Sequence, residues 1–281
     1  MKKHFTLPKV FLTFTFLFLY LPILSIVVYS FNESKLVTIW SGFSFKWYAA
    51  LLDDTELTQA AWLSLQIATA TAFAAVLVGT WIGFVLARYR RFSGRTLFTG
   101  MVNAPLVLPE VIQAMSLLLL FVALQKWTGW PSGRGIFTIW VGHVMLCVSY
   151  VAITVQSRLA GMNPALAEAA QDLGATPFKV FFDITLPMIS QALVSGWLLS
   201  FTISLDNVVM SAFLSGPGST VLPLVIFSRV RLGLNPEIHA MGTIFIVFVS
   251  IVVVVNNAIM QKRVRQREQE MKIALTPPTP K

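Results

Sequence analysis

Residues 168–187 read EAAQDLGATPFKVFFDITLP and lie between two long apolar segments. A helix is predicted to enter this stretch from Asn163-Pro164, because asparagine caps helices and proline suits the first helical position. Gly174 should end this helix after Leu173, since glycine readily adopts the left-handed conformation found at helix ends. The stretch therefore begins as a short amphiphilic helix outside the apolar segments.

This first helix should present two different faces. Glu168 and Asp172 are four residues apart, so they share one face, where two like charges slightly disfavour an isolated helix. A basic partner outside the chain would reverse that effect. Four residues follow helical spacing and form a small apolar stripe: Leu166, Ala169, Ala170 and Leu173.

A second short helix is predicted from Thr176-Pro177, and it should end before Pro187, where the next apolar segment begins. It offers three apolar side chains to a partner: Phe178, Phe181 and Phe182. The residues alone leave two interpretations of the helix pair open. It is either a compact plug for a socket on another protein or a helix pair that lies on the membrane surface.

The apolar segments indicate the class of protein. Of the 281 residues, 56% are hydrophobic and 12% are charged, whereas soluble domains carry about a quarter charged residues. Blocks of about 18 or more apolar residues with few charges predict membrane-spanning helices. The first apolar run is long and lacks an A-x-A site, so it is interpreted as an uncleaved span. We predict an all-α integral membrane protein with six spans, at residues 10–31, 59–87, 96–124, 136–156, 188–214 and 239–260.

The distribution of basic residues predicts the orientation of the chain. With both termini inside, 15 Lys and Arg residues lie inside and 6 lie outside, and cytoplasmic loops do collect such residues. The same rule accounts for the net charge of +9 without a nucleic-acid partner. We therefore expect a cytoplasmic N-terminus at 1–9, a transmembrane domain at 10–260 in contact with membrane lipid, and a cytoplasmic tail at 261–281.

Two stretches are expected on the outer side, at 32–58 and 215–238. The second contains VLPLVIFS, which is too short to span and should re-enter or lie at the interface. The pair Asp53-Asp54 either docks a partner or belongs to a solvated loop. Five aromatic residues near the outer boundaries are expected to be interface anchors: Trp40, Trp47, Tyr48, Trp127 and Trp130.

Two glycines in the second span have a spacing that favours helix packing. Gly79 and Gly83 form G-x-x-x-G, which lets another helix approach closely. This pattern is common in spans, so it predicts packing and no specific function.

The stretch that begins at Glu168 also resembles the signature of a known family. E-A-A, three residues, Gly, nine residues and I-x-L-P match permease subunits of binding-protein-dependent ABC importers. The matching positions are Glu168, Ala169, Ala170, Gly174, Ile184, Leu186 and Pro187. The resemblance implies a type I ABC importer permease fold in the bacterial inner membrane, in which the loop at 157–187 contains a cytoplasmic coupling helix between spans 4 and 5.

The resemblance also implies partners. Glu168, Ala169, Ala170 and Gly174 would dock in a cleft of a separate ATPase subunit, where Glu168 would meet a basic residue. A second homologous permease, two ATPase subunits and a periplasmic solute-binding protein would complete the importer. The sequence contains no G-x-x-x-x-G-K-[ST] phosphate loop, so no cofactor is expected in this chain. ATP and Mg²⁺ would be bound by the ATPase.

Longer stretches resemble the spermidine/putrescine branch of these permeases. They are GFSFKWYAALLDD, APLVLPEVIQAMSLLLLF, SLDNVVMSAFLSGPGSTVLPLVIFS and RLGLNPEIHA. Related branches for iron(III), phosphonates or thiosulfate share much of this pattern and remain alternatives. A cation carrier that works without ATP is a further alternative. A membrane enzyme is disfavoured, because the sequence contains neither H-E-x-x-H nor G-x-S-x-G.

Carboxylates within the apolar spans give an independent indication of the solute. Glu110 lies in span 3 and Asp206 in span 5, where a charge costs roughly 2.5–3.5 kcal/mol, so such residues usually face a cavity or a partner. Pro105 and Pro109 remove backbone donors beside Glu110 and should break or kink span 3. We predict a diamine path lined by Asp206, Glu110 and Asn207. Alternatively, Asp206 reaches the outer interface or caps a kink with Asn207, and Glu110 pairs with a charge on the partner permease.

His143 and Cys147 are four residues apart in span 4 and would make half of a metal site. No third ligand is evident in the sequence, so no metal is expected, and both side chains are predicted to pack in the core. Cys147 is the single cysteine, which excludes an intramolecular disulfide.

Overall fold

The computed structural model of the chain describes residues 6–36, 39–89, 91–232 and 236–275. This part is built from helices and the loops that join them, which confirms the predicted all-α class. A π-helical segment, Phe181–Thr185, lies within the fifth span. The α-helices are α1 (Thr6–Tyr29), α2 (Lys46–Asp53), α3 (Thr55–Arg88), α4 (Arg95–Val107), α5 (Glu110–Thr128), α6 (Ile136–Ala160), α7 (Ala165–Asp172), α8 (Pro177–Val180), α9 (Leu186–Asp206), α10 (Val208–Leu214), α11 (Leu222–Leu232) and α12 (Pro236–Leu275).

The described part contains six segments that are long and apolar enough to cross a membrane, which confirms the predicted number of spans. The second begins at Thr55, earlier than predicted. Asp54 explains this start, because its Oδ1 accepts a hydrogen bond from the backbone N–H of Leu57 at 3.0 Å and so caps the helix. The six segments are Lys9–Tyr29, Thr55–Arg88, Glu110–Thr128, Ile136–Ala160, Pro177–Asp206 and Pro236–Ala258.

The third predicted span is broken into two helices. α4 ends at Val107, Leu108 has an extended backbone (φ −72°, ψ 139°), and α5 begins at Glu110. Pro109 has no N–H to donate to the carbonyl of Pro105, so a continuous helix would lose that hydrogen bond. Pro105 itself lies inside α4. The break therefore occurs at Pro109, one of the two prolines at which it was predicted.

The fifth span begins differently from the prediction. The expectation that the second short helix ends before Pro187 is wrong, because α8 continues through Phe181–Thr185 into α9. Pro187 leaves the carbonyl of Asp183 without its usual helical donor, and the π-helical segment Phe181–Thr185 includes Asp183. The helix therefore runs from the loop at 157–187 directly into the span.

The chain divides into two compact units, and the larger is Gln59–Val225. Within it, α6 packs against α9 and α4, and α10 packs against α5. A Cβ on Gly83 would lie 2.6 Å from the carbonyl oxygen of Ala152, and one on Gly79 would lie 2.7 Å from Cβ of Val151. α3 thus approaches α6 too closely for a methyl group at either position, as the G-x-x-x-G spacing predicts.

The other unit comprises Met1–Thr58 and Ile226–Lys281, and within it α12 packs against α1 and α2. Trp47 is only 4% exposed, and its Nε1 donates a hydrogen bond to the carbonyl of Asn32 at 2.6 Å. The prediction that Trp47 is an interface anchor is therefore wrong, because its ring lies in the core of this unit. Trp40 remains exposed, at 48%.

Asp54 does not belong to a solvated loop, because it forms a two-point ion pair with Arg229. The Arg229 Nη1 lies 2.5 Å from Asp54 Oδ2, and Nη2 lies 3.1 Å from Oδ1. Nη2 also lies 2.7 Å from Glu56, and Nη1 lies 3.6 Å from Glu237. The hydrogen bond from Arg229 is the main reason why the pKa of Asp54 is lowered from its ordinary value of 3.8. We call these four residues the Arg229 cluster.

The last two helices occupy stretches that were only coarsely predicted. α11, Leu222–Leu232, includes most of VLPLVIFS and is too short to span a membrane. α12 continues beyond the predicted end of span 6 and reaches Leu275. The described part of the predicted tail is therefore helical.

Candidate functional sites in an exposed loop and two broken spans

The loop at 157–187 folds as a pair of short helices. Asn163 Oδ1 accepts a hydrogen bond from the backbone N–H of Ala165 at 3.0 Å, at the start of α7. Gly174 follows α7 with φ +86°, the left-handed conformation expected at that position. Thr176 Oγ1 accepts from the backbone N–H of Lys179 at 3.4 Å and caps α8. α7 therefore begins at Ala165, one residue later than predicted, whereas Gly174 and Thr176 take the positions that the sequence predicts.

The E-A-A residues lie on the surface of the chain. α7 has no buried residue. Glu168 and Ala169 are exposed, Ala170 is half-buried, and Asp172 is exposed on the same helix. Since Glu168 and Asp172 are one helical turn apart, α7 presents two carboxylates close together.

Large apolar side chains accompany these carboxylates. Leu173 is 89% exposed, Phe178 is 73% exposed and Leu166 is 50% exposed. Single exposed apolar residues are ordinary, but apolar side chains grouped with charges are typical of a surface that another protein or the membrane covers. We call Leu166, Glu168, Asp172, Leu173 and Phe178 the loop surface.

Phe181 does not belong to the loop surface, contrary to the prediction. It is 7% exposed, and its ring stacks on Trp81 of α3 with centroids 5.0 Å apart and planes 14° apart. The edge of Phe84 contacts it at 5.1 Å. Phe182 remains exposed, at 53%. The aromatic contact of Phe181 therefore joins the short helices of the loop to a membrane span.

The break in span 3 is held by Gln113. Its Nε2 donates to the carbonyl of Pro105 at 2.8 Å and to the carbonyl of Leu108 at 2.7 Å. In a continuous helix the carbonyl of Pro105 would accept from the N–H of residue 109, which Pro109 lacks. The side chain of Gln113 therefore replaces that missing N–H donor. Gln113 is 5% exposed, so its side chain bridges the break from inside the fold.

The break in span 5 lies at Asn207, between α9 and α10. Asn207 Oδ1 accepts a hydrogen bond from the backbone N–H of Met210 at 2.8 Å and thereby caps α10. Its Nδ2 donates to Oε1 of Glu110, the first residue of α5. The structure thus brings together two of the three predicted path residues. Asn207 caps the kink by itself, whereas the alternative prediction gave that role to Asp206 together with Asn207.

Asp206 lies beside this contact without joining it. It is the last residue of α9, its side chain is exposed, and no partner is seen for it in the part of the chain that the structure describes. The carbonyl end of a helix carries partial negative charge, so Asp206 adds a full negative charge to an already negative end. A cation is the natural complement of this arrangement.

His143 and Cys147 pack in the core, as predicted. His143 is 2% exposed and lies between Ser204 and Ser211, and Cys147 Sγ lies 3.6 Å from the carbonyl of Ser200. Among the described residues there is no group of three or more potential metal ligands. His143 lies about 10 Å along α6 from Ile136, where the fourth span begins.

Six helices that are long and apolar enough to cross a membrane make this chain an integral membrane protein. Residues 75–266 match the family of binding-protein-dependent transport system inner membrane components. The chain belongs to this family. Its fold is similar to a chain of a bacterial ABC transporter involved in the import of the acidic polysaccharide alginate, with a TM-score of 0.68 over 92% of this chain and 93% of that one, at 18% identity. The predicted permease fold is therefore confirmed.

Two curated relatives place the chain within the family. It is 51% identical over 259 residues to the putrescine transport system permease protein PotI of Escherichia coli, a match that covers 92% of each chain. It is 40% identical over 260 residues to the spermidine/putrescine transport system permease protein PotC of Haemophilus influenzae, covering 92% of this chain and 98% of that one. The predicted resemblance to the spermidine/putrescine branch is confirmed.

Two polar groups at the breaks were not predicted from sequence. Gln113 is a polar residue in an apolar segment, four residues after Pro109, and this spacing is a signal that could have indicated its role. The contact of His143 with Ser204 and Ser211 joins residues from different spans. No local pattern in the sequence predicts such a contact.

Proposed function

We propose that this chain is a membrane-spanning permease subunit of an ATP-driven, binding-protein-dependent importer for putrescine or a related polyamine. The main support is its 51% identity to a relative named as a putrescine permease. The exposed carboxylate of Asp206 within an apolar span agrees with a cationic solute. In this proposal the chain is a transport subunit and has no catalytic site.

The loop surface is proposed to dock on a separate ATPase subunit. Glu168, Ala169, Ala170 and Gly174 would form the contact, with Glu168 facing a basic residue of the ATPase. The exposure of α7 supports this assignment, since a surface that is covered only in the assembled importer is exposed in the isolated chain. Phe181 would then transmit movement of the loop to α3 through its stacking on Trp81.

The complete importer is proposed to contain a second homologous permease, two ATPase subunits and a periplasmic solute-binding protein. ATP and Mg²⁺ would be bound by the ATPase subunits and not by this chain. Both termini of this chain would be cytoplasmic, because this orientation places 15 of its 21 basic residues inside. The loop surface then faces the compartment that contains the ATPase.

The solute path is proposed to pass the two broken spans, at Asp206, Glu110 and Asn207. Interrupted membrane helices commonly form ion and substrate sites, because their ends expose carbonyl groups and helix dipoles within the bilayer. Glu110 lies in the first turn of α5, where the positive end of the helix favours its charge. Asp206 is the last residue of α9, at the negative end of that helix. It is therefore the carboxylate better suited to an ammonium group of the solute.

Uptake into membrane vesicles tests the proposed function. Labelled putrescine and spermidine would be supplied with the partner subunits, with or without this chain, and with ATP present or depleted. ATP-dependent uptake that requires this chain is the expected result. Uptake that is indifferent to ATP would contradict the importer mechanism and favour a carrier. Absence of polyamine uptake would contradict the proposal that the solute is a polyamine. Uptake of iron(III) or a phosphonate would then be tested.

The variant Asp206→Asn tests the path. It keeps the size of the side chain and removes the charge, so the KM for putrescine should rise about tenfold, the effect of losing one hydrogen bond to a charged group. Glu33→Gln is the control, because Glu33 is an exposed carboxylate outside the spans. An unchanged KM in a normally expressed Asp206→Asn importer would remove Asp206 from the path.

A further inference from the structure

The break in span 5 is bridged by a buried side chain of a different span. His143 of α6 places its Nδ1 2.8 Å from Ser204 Oγ, in the last turn of α9, and its Nε2 3.2 Å from Ser211 Oγ, in α10. The imidazole is 2% exposed, Ser204 is 5% exposed and Ser211 is fully buried. One ring therefore contacts both helices that meet at Asn207.

Both contacts of His143 are satisfied hydrogen bonds. A neutral imidazole has one donor and one acceptor nitrogen, and a serine hydroxyl serves as either, so both bonds form in either tautomer. A buried polar ring is costly without partners and rigid with them, because the low local dielectric strengthens each bond. The arrangement thus fixes where α9 ends and α10 begins relative to α6.

The two hydrogen bonds of His143 lie next to the residues at the break in span 5. Asn207 lies three residues after Ser204 and four before Ser211, so the two serines flank it in sequence. Asn207 has a non-helical backbone (φ −74°, ψ 98°) and bonds Glu110. Any rotation of α10 relative to α9 would move the Asn207 amide away from Glu110 and redirect Asp206.

We propose that His143 is a positioning residue for the solute site: its bonds to Ser204 and Ser211 set the geometry of the break that presents Asp206 and Asn207. This inference rests on the proposed solute path. His143 does not contact the solute in this arrangement. It acts by holding the two half-helices, in the way that Gln113 holds the break in span 3.

Cys147 provides a matched control. It lies one helical turn from His143 on α6, is fully buried, and contacts the carbonyl of Ser200 on α9. It therefore belongs to the same helix interface but does not bridge the break. A purely structural role for His143 would give Cys147→Ala and His143→Phe the same kind of effect on the importer.

The first experiment measures the kinetics of putrescine uptake by the complete importer in proteoliposomes. His143→Phe keeps a ring and removes both bonds, and the double variant Ser204→Ala, Ser211→Ala removes the same bonds while keeping the histidine. Both should raise the KM about tenfold, as expected for lost hydrogen bonds at the break, with little change in maximal rate. Cys147→Ala should keep the normal KM. An unchanged KM in the serine double variant would overturn the proposal, even if His143→Phe fails to fold.

The second experiment measures the geometry of the break without transport. Spin labels on the exposed positions Ser195→Cys and Ala212→Cys, in a Cys147→Ala background, report the distance from α9 to α10. A straight helix would separate the two positions by about 25 Å. A narrow distance distribution that broadens in His143→Phe is expected, and an unchanged distribution would overturn the proposal.

The two proposals fail in different ways. The label distances could broaden in His143→Phe while Asp206→Asn and Glu110→Gln keep a normal KM. The bonds of His143 would then hold the break, but the proposed solute path would be wrong, and with it the positioning role of His143. If those carboxylate variants raise the KM and His143→Phe does not, the path stands and His143 is an ordinary core residue.

Discussion

Asn207 donates a hydrogen bond from its Nδ2 to Oε1 of Glu110 and thereby joins the break in span 5 to the break in span 3. The same side chain caps α10 through the backbone N–H of Met210. Asn207 therefore uses both ends of its amide, one for the local helix and one for a carboxylate from another span. Interrupted membrane helices commonly form ion and substrate sites, and this contact is the basis of the solute path that we propose.

Two substitutions of Glu110 distinguish the effect of its charge from the effect of its hydrogen bond with Asn207. Glu110→Gln keeps an acceptor for Asn207 and removes the charge, so folding should be unaffected and putrescine uptake should fall. Glu110→Ala leaves the Asn207 Nδ2 without its acceptor, so it should also lower the free energy of unfolding by about 1–3 kcal/mol. Uptake and thermal unfolding in detergent are measured on both variants. Equal destabilisation by Gln and Ala would contradict a hydrogen-bonding role for Glu110.

Phe178 and Phe181 should respond differently to truncation, although they are three residues apart. Phe181 is 7% exposed and Phe178 is 73% exposed. Phe181→Ala removes the stacking on Trp81 and should lower the free energy of unfolding by about 3–5 kcal/mol. Phe178→Ala should leave stability within about 0.5 kcal/mol.

The coupling proposal predicts the effect of Phe178→Ala on the assembled importer. ATP hydrolysis stimulated by the solute-loaded binding protein should fall, because the variant removes an apolar contact of the loop surface. The measurement is ATPase activity of the purified complex, with subunit content determined in parallel. Full stimulation in a complex of normal composition would place Phe178 outside the contact.

Gly174 should be sensitive to a single methyl group, although there is space for one. A Cβ at Gly174 would meet no atom within 4 Å, but the residue has φ +86°. Alanine in this conformation costs roughly 1–2 kcal/mol, so Gly174→Ala should shift the end of α7 and reduce stimulated ATP hydrolysis. Gly161→Ala is the control, because Gly161 has φ −87° in the same loop. Comparable losses in both variants would show that backbone conformation is not the cause.

Gly83 should also be sensitive to an added methyl group, but for the opposite reason, since its surroundings leave no space for a Cβ. Its Cβ would lie 2.6 Å from the carbonyl of Ala152, a backbone atom that cannot move aside easily. Gly83→Ala should destabilise the packing of α3 on α6 by about 1–3 kcal/mol. Gly100→Ala in α4 meets no atom within 4 Å and should be neutral or stabilise that helix by up to about 1 kcal/mol. Thermal unfolding of both variants compares them directly.

The elements that the sequence predicts well are those with a local cause. Spans follow from the length of apolar runs, and the caps of the loop helices follow from Asn163, Gly174 and Thr176. The break in span 3 follows from Pro109, which lacks an N–H wherever it stands. Each of these outcomes depends on residues within one or two helical turns.

The contacts that the sequence does not predict join residues far apart in the chain. Glu110 and Asn207 are 97 residues apart, and their contact depends on how α5 meets α10. The position of Trp47 near the span ends predicts an interface anchor, but its burial is decided by the packing of α2 against α12. Local spacing predicts Phe181 on the surface with its neighbours, because it does not reveal that Trp81 lies beside it.

The Arg229 cluster should make the stability of the chain depend on pH in acid. The pKa of Asp54 is lowered in the folded state, chiefly by the hydrogen bond from Arg229, so the folded state binds the proton less readily than the unfolded chain. The contribution of Asp54 is therefore fully present above its ordinary pKa of 3.8 and is lost as the pH falls through the lowered folded value.

Thermal unfolding measured from pH 6 down to about 2.5 should show this loss in the parent chain and a flatter profile in Asp54→Asn. Arg229→Lys keeps the charge without the two-point geometry and should give a weaker dependence, whereas the control Arg231→Lys should reproduce the parent profile. A profile in Asp54→Asn as steep as that of the parent would assign the acid sensitivity to other carboxylates.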